Sequence, residues 1–583
     1  MAELAQVLEK TISQSLQLKN ALVAKEDSTK QACTTRWLQL AEDIRSFVKE
    51  NVMRTIGTER FRPSIAAQCI AAIACTEIPV NLWPTVIEEL MKNVTDDQRH
   101  NTLGAEGAVL LKEGSLEALG YICQDIVTGA IEAQSNSILT AIVHGMGKSE
   151  GSNRVRLAAT MAMLNSLEFT SSNFANERER HIIMQVVCEA TQCSDNPVRV
   201  AAMQCLVRIM SLYYQFMEHY MANALFPITL EAMKSGVDEF VLQGIEFWSN
   251  VCEEELNLKL EAEEAAEHGR TPEQVSRHYA KGALPHLIPM LTETLAHQEN
   301  ADDDDDWCPS KAAGVCIMLL AQCTEDDIVD PILPFIVQHF GNADWKYRDA
   351  AIMAFGAIMD GPSKQKLMGL VGEALGPLIN ALQASELPVR DTAAWTIGRV
   401  CGACEELVTQ HDILNPLLPA LSRALTQEPR VAYKQQLLNM EASLESNSDK
   451  SQLRDLQSLL CATLQSVLRK MHQDDTVKVA DLIMRGLVSI MERCQGRGAG
   501  GVMEDALMAI STLIEAMGTE FGKYMDGFRP YLLAGLGKVD EIQVCSAAIG
   551  VLTDLARAFE KDLLPLMDEI YERLILVLQV NDY

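Results

Sequence analysis

Apolar residues along this chain recur at spacings of three and four, in blocks separated by short polar turns. That spacing puts them on one face of an α-helix. Leu284 to Leu295, Ala312 to Cys323, Ile332 to Phe340 and Leu375 to Leu382 are helices by this criterion. No strand-like alternation of any length interrupts the pattern, so the expected class is all-α.

Many blocks open in the same way, with a polar turn, a basic or small residue and then an alanine-rich run. Examples are Asn153-Arg154-Val155-Arg156-Leu157-Ala158-Ala159, Asn196-Pro197-Val198-Arg199-Val200-Ala201-Ala202, Tyr347-Arg348-Asp349-Ala350-Ala351 and Pro388-Val389-Arg390-Asp391-Thr392-Ala393-Ala394. Arg156 and Arg199 lie 43 positions apart, and Arg348 and Arg390 lie 42 apart. A period in the low forties with two helices per unit is the signature of a HEAT-type solenoid, and 583 residues hold roughly 13 such units. The proline is expected to end one helix, the arginine to cap the turn, and the alanines to let neighbouring helices approach closely. Four places break the rhythm: a short first unit at Met1–Lys25, an irregular stretch over 94–113, a polar insertion from Glu261 to Gln274, and a helix start at Arg430 that runs into Tyr433-Lys434-Gln435-Gln436.

Composition narrows the reading. Hydrophobic residues make up 48% and charged residues 22%, ordinary values for a folded soluble protein. The net charge of −31, from 49 basic and 80 acidic residues, argues against direct nucleic-acid binding, which needs a basic stripe, and favours basic partners. Sixteen cysteines follow no fixed spacing and fall mostly within apolar helical patterns, so they read as reduced, buried small hydrophobes. The chain opens without a signal peptide, and no apolar run approaches the ~18 residues of a membrane span, so no membrane insertion is expected.

The most distinctive stretch is Asp302, Asp303, Asp304, Asp305 and Asp306, followed by Trp307, Cys308 and Pro309. Five adjacent carboxylates repel one another and oppose helix, so the run is a solvated loop. It is either a solubilising feature or an electrostatic arm for a basic ligand, with Trp307 as an apolar or cation–π platform.

Several fragments imitate catalytic motifs. Gly145-Met146-Gly147-Lys148-Ser149 lacks the first glycine of a phosphate loop and a preceding strand. Gly496, Gly498 and Gly501 follow a helix, as an inter-repeat linker would. Cys401 and Cys404 have no second pair or histidine cluster at zinc spacing. The aspartates lack the alternation and glycine of a calcium loop. Nothing is arranged like an active site, and neither catalysis nor a cofactor is expected.

Several stretches together resemble the importin-beta karyopherins. They are Glu299–Cys323, Asp344–Ala351 and Val389–Thr396, with Leu116–Asp125, Ile245–Cys252 and Asp455–Leu464. The resemblance covers nearly the whole chain from about Leu16. It implies a nuclear import receptor, present in cytoplasm and nucleus and concentrated at the nuclear pore, that carries basic cargo directly or through an adaptor. The family takes the basic importin-β-binding segment of importin-alpha on its inner face, and releases cargo when GTP-bound Ran binds.

Carried onto these residues, Asp302–Asp306 and Trp307 serve adaptor and Ran, and Trp395 and Asp391 lie on the adaptor-binding inner face. The family also places the position of Ile183 in an outer pocket for phenylalanine-glycine (FG) nucleoporin repeats. Val187, Leu225, Phe226 and Ile228 are apolar candidates to complete it.

The implied layout is one solenoid over 1–583. It has N-terminal repeats to 93, nucleoporin-facing repeats over 94–298, the acidic loop over 299–309, inner-face repeats over 310–432 and C-terminal repeats over 433–583. Relative to the family, most of a helical pair is missing between Ser13 and Leu16, a stretch is missing near Arg430–Gln435, and the chain stops at Tyr583. These departures read as an incomplete or alternatively spliced form. The rival readings are a static HEAT scaffold for a multisubunit complex and a truncated form impaired in transport.

Overall fold

A computed structural model of the protein describes residues 27–126, 128–298, 307–404, 410–426, 448–493 and 500–580. Every regular element among these residues is helical. The acidic run Asp302–Asp306, the first unit Met1–Lys25 and the irregularity at Arg430–Gln436 lie outside the described residues. So do Gly496 and Gly498, while Gly501 lies inside the helix Gly500–Met517.

The helices group into two compact units, Met1–Arg277 and His278–Tyr583. In the first, each helical pair contributes its second helix to one continuous stack. Ile65–Glu77 packs on Asp97–Asp125, that helix on Asn153–Ser166, that on Asn196–Tyr213, and that on Asp238–Glu267. The second unit repeats the scheme from Pro309–Thr324 through Trp345–Ala357, Leu387–Ala403, Ser448–Leu468 and Gly500–Met517 to Ile542–Phe559. Small residues make the stack possible: Ala159, Ala202, Ala313, Ala351 and Ala394 are fully buried where neighbouring helices meet.

The repeated arginine has a defined task. Arg199 Nε donates to the carbonyl of Thr191, Arg348 Nη1 to that of Asn342, and Arg390 Nη1 to those of Ala384 and Ser385. Each arginine starts a second helix and reaches back to carbonyls at the close of the first, which have no helical partner of their own. Contrary to the expectation that they end the first helices, the prolines open the second ones. Pro197, Pro309 and Pro388 stand in the first turn of the following helix, where a missing N–H removes no hydrogen bond.

Two breaks in rhythm become helix. Asp96 caps a helix at 94–113 by accepting from the amides of Gln98 and Arg99, and the chain kinks at Gly104, whose φ of 74° suits glycine. The first half of the polar insertion, as far as Glu267, continues the helix Asp238–Glu267.

Near the start of the first unit, Glu77 is fully buried at the end of its helix. It accepts from Trp37 Nε1 at 3.0 Å, Arg45 at 2.9 Å and Lys49 at 2.6 Å, which compensates the buried carboxylate and ties three helices together.

One expectation about apolar runs is corrected. Ile542–Ile575 contains an 18-residue window apolar enough to cross a membrane. It folds as Ile542–Phe559 and Met567–Val580, separated by the 3₁₀ helix Glu560–Leu566, which carries Glu560, Lys561 and Asp562. Val544, Ala548, Val551 and Leu555 are buried against the array, whereas Ile542, Leu564 and Ile575 are more than half exposed.

Candidate partner-binding surfaces

Trp307 directly precedes the helix Pro309–Thr324 and is 57% exposed. No ring or cation contact holds its indole among the described residues. A large aromatic face left in water beside an acidic sequence can receive the stem and charge of a lysine or arginine.

Asp391 and Trp395 lie one turn apart on Leu387–Ala403 and are both partly exposed. The ring of Trp395 lies against Gly356 of the preceding second helix; a Cβ there would come within 2.4 Å of Cζ3. Its face is partly occupied from within: the Arg399 guanidinium stands 5.3 Å from the ring centroid, and Arg399 Nε donates to the Gly356 carbonyl at 2.8 Å. Burial pulls the Arg399 guanidinium below its ordinary pKa. Trp395 is therefore both an interhelical contact and a partly open aromatic surface. No hydrogen bond or ring contact joins Trp307 to Asp391 or Trp395 among the described residues.

Beside this surface, Arg348 bridges to Glu386 of the next repeat at 2.7 Å. Asp349 is buried, which raises its carboxyl pKa; hydrogen bonds from Thr392 and Gln298 oppose that rise.

The five outer-pocket residues divide by depth. Ile183, Val187 and Leu225 are at most 2% exposed, whereas Phe226 and Ile228 are partly exposed. Phe226 meets the Trp248 ring edge to face at 5.9 Å, and Trp248 Nε1 is held by Thr229 Oγ1. On Glu177–Ala190 the apolar residues that reach solvent are Ile182, 50% exposed, and the partly exposed Val186 and Cys188. The buried residues Ile183, Met184, Val187 and Ala190 fall at i, i+1, i+4 and i+7, and an i, i+3, i+4, i+7 stripe from Ile183 would equally take in Val186, so packing rather than spacing separates the two rows. A hydrogen bond between His181 and the Tyr220 hydroxyl ties this helix to the next unit, and Gln192, just beyond the helix, donates to Glu231.

Sequence reasoning missed a stripe of carboxylates on Asp238–Glu267. Glu239, Glu246 and Glu253 recur every seven residues, two helical turns, and all three are exposed. Glu254 and Glu261 extend the acidic surface. Burial, then the neighbouring Glu246, raises the Glu253 carboxyl pKa; burial, then Glu253 and Glu261, raises that of Glu254. Carboxylates crowded in this way are stabilised by a basic ligand. The seven-residue spacing was readable in the sequence.

Comparison with known proteins settles the lineage of this scaffold. Residues 431–583 match the family model described as "Importin subunit beta-1-like, TPR repeats", and residues 345–400 match that for a HEAT-like repeat. Importin subunit beta-1 of Schizosaccharomyces pombe is 34% identical across 97% of this chain and 74% of its own length. The protein belongs to the importin subunit beta-1 family. The family consists of nuclear transport receptors rather than enzymes. The Saccharomyces cerevisiae importin subunit beta-1 is 33% identical over 95% of the chain and 72% of its own length.

Solved importin-beta structures superpose well. The yeast importin-beta Kap95p shares 31% identity at a TM-score of 0.65, over 97% of this chain and 73% of Kap95p. The Kap95:Nup1 complex matches at 31% identity and TM-score 0.60, over 97% and 73%. A structure in which Kap95p binds RanGDP and induces its switch loops to adopt the GTP-bound conformation matches at 30% and 0.61, over 96% and 73%.

Proposed function

We propose that this importin-beta family member is a nuclear import receptor. It takes cargo through the basic importin-β-binding segment of an importin-alpha adaptor, or takes basic cargo directly. It crosses the pore through FG nucleoporins and releases cargo when GTP-bound Ran binds. The observation that carries this reading is the likeness, over nearly all of the chain, to an importin-beta solved both with Nup1 and with RanGDP.

The chain's own chemistry supports it. A net charge of −31, the run Asp302–Asp306 and the Glu239–Glu246–Glu253 stripe suit a basic adaptor. Trp307, Trp395 and Asp391 offer aromatic surface and charge for its lysines and arginines. Exposed Ile182, with half-buried Val186, Phe226 and Ile228, offers shallow apolar contact for phenylalanines over a floor of Ile183, Val187 and Leu225. A buried phenylalanine gains roughly 1.5–3 kcal/mol, so one such contact exchanges fast and passage relies on several. In this layout nucleoporins meet the repeats within 94–298, and the adaptor meets the loop 299–309 and repeats 310–432. The receptor works in both cytoplasm and nucleus.

Permeabilised cells depleted of cytosol test the proposal. Adding this chain with importin-alpha, Ran and fluorescent basic cargo should restore nuclear accumulation. Cargo that stays outside, with the chain absent from the nuclear rim, would instead support a static scaffold.

A further inference from the structure

The kinked segment that opens Asp97–Asp125 closes one side of a cleft of about 360 Å³. Three cations surround it: Arg54 at the end of Glu42–Thr55, Lys92 from Val86–Thr95 and Arg99 from the first turn after Asp96. Between them lie apolar side chains, Ile56 and Leu111 buried and Leu103 48% exposed.

The cations are available. Arg54 donates to the neutral Asn51 amide oxygen, and Arg99 to that of Asn93; neither meets a carboxylate among the described residues. Lys92 pairs with Glu88 at 2.8 Å, but both side chains are more than half exposed, and such pairs are worth little. Glu89, the acid on the cleft wall, accepts from the Thr85 hydroxyl. Asn93 is 1% exposed and anchored to Ser115, so the partner of Arg99 is fixed from below. In a chain of net charge −31, this cleft is a local reversal of field.

We propose that the cleft binds an acidic peptide segment carrying one apolar side chain beside its carboxylates. Guanidinium groups match carboxylates in a planar, two-bonded geometry, and the apolar side chain covers Leu103 and reaches Ile56 and Leu111. A bare polyanion such as RNA would leave Leu103 in water. The ligand is opposite in charge to the adaptor segment, so this site stands independently of the import reading.

The test titrates a fluorescein-labelled peptide of glutamates around a central leucine into the full chain at low salt, read by anisotropy. Expected results are saturable binding, at least tenfold weaker after Arg54→Ala/Arg99→Ala and at least tenfold weaker when the peptide's glutamates become glutamines. Leu103→Ser weakens it several-fold. Because Arg99 anchors on a buried amide, Arg54→Ala/Lys92→Ala is a second variant that leaves Asn93 paired, and it too should weaken binding at least tenfold. No binding to the native chain, unchanged binding by the folded variants, or tighter binding of a single-stranded RNA than of the peptide would overturn the proposal.

Discussion

Arg399 lies over the ring of Trp395, one turn away on the same helix, while its Nε holds the Gly356 carbonyl of the preceding repeat. The indole is thus clamped between an arginine and a glycine that leaves room for it. Gly356→Ala puts a methyl group within 2.4 Å of the ring and forces it outward. Overpacking of this kind costs about 1–3 kcal/mol, read as a lower denaturation midpoint. A midpoint unchanged by Gly356→Ala would mean the ring has room to move.

The acidic run acts through charge, so neutralising it matters most where charge is least screened. Asp302–Asp306→Asn should weaken binding of a basic importin-alpha peptide, with the largest loss at low salt. A Debye length of ~8–10 Å near physiological ionic strength leaves contact-range attraction in place but removes distant steering. Equal affinity at low salt would reduce the run to a solubilising feature.

Adjacent isoleucines should behave oppositely. Ile183 is 2% exposed, so Ile183→Asp buries a charge and should cost about 4 kcal/mol or more, visible as a large fall in melting temperature. Ile182 is half exposed, so Ile182→Asp should leave melting unchanged and weaken capture on FG-repeat beads. If Ile182→Asp binds repeats normally while folded, the nucleoporin contact lies elsewhere.

The crowded glutamates give a pH signature. Native Glu253 and Glu254 hold protons more tightly than their unfolded counterparts, because burial and then neighbouring carboxylates raise both pKa values. Stability is therefore lost as pH rises from the usual carboxylate range through the raised values, and the full penalty stands at pH 7. Glu253→Gln/Glu254→Gln should raise the thermal midpoint at pH 7, with the gain vanishing below about pH 4. The same variant should bind basic peptides more weakly. A gain that persists at pH 3 would contradict the electrostatic cause.

The architecture was legible because it is written locally. Arg199, Arg348 and Arg390 close the turn before each second helix, and buried alanines follow them, so one unit predicts the next. Surfaces were harder to read. Ile182 and Ile183 differ by one position and 100° of helix, and only packing decides which meets water. Trp395 stood out as a tryptophan, but the sequence did not show that Arg399 covers part of it. The cleft around Arg54, Lys92 and Arg99 joins three helices, and its cations are scattered among acidic residues along the chain. The segment before the kink at Gly104 carries Arg99 and Leu103 to the cleft that Arg54 and Lys92 also line.

Calorimetric titration of the basic N-terminal segment of importin-alpha into this chain, alone and after saturation with GTP-loaded Ran, tests the central claim most directly. The import-receptor account predicts binding by the free chain and its loss, by at least tenfold, in the presence of GTP-bound but not GDP-bound Ran. Binding of the segment unaffected by Ran in either nucleotide state would contradict it.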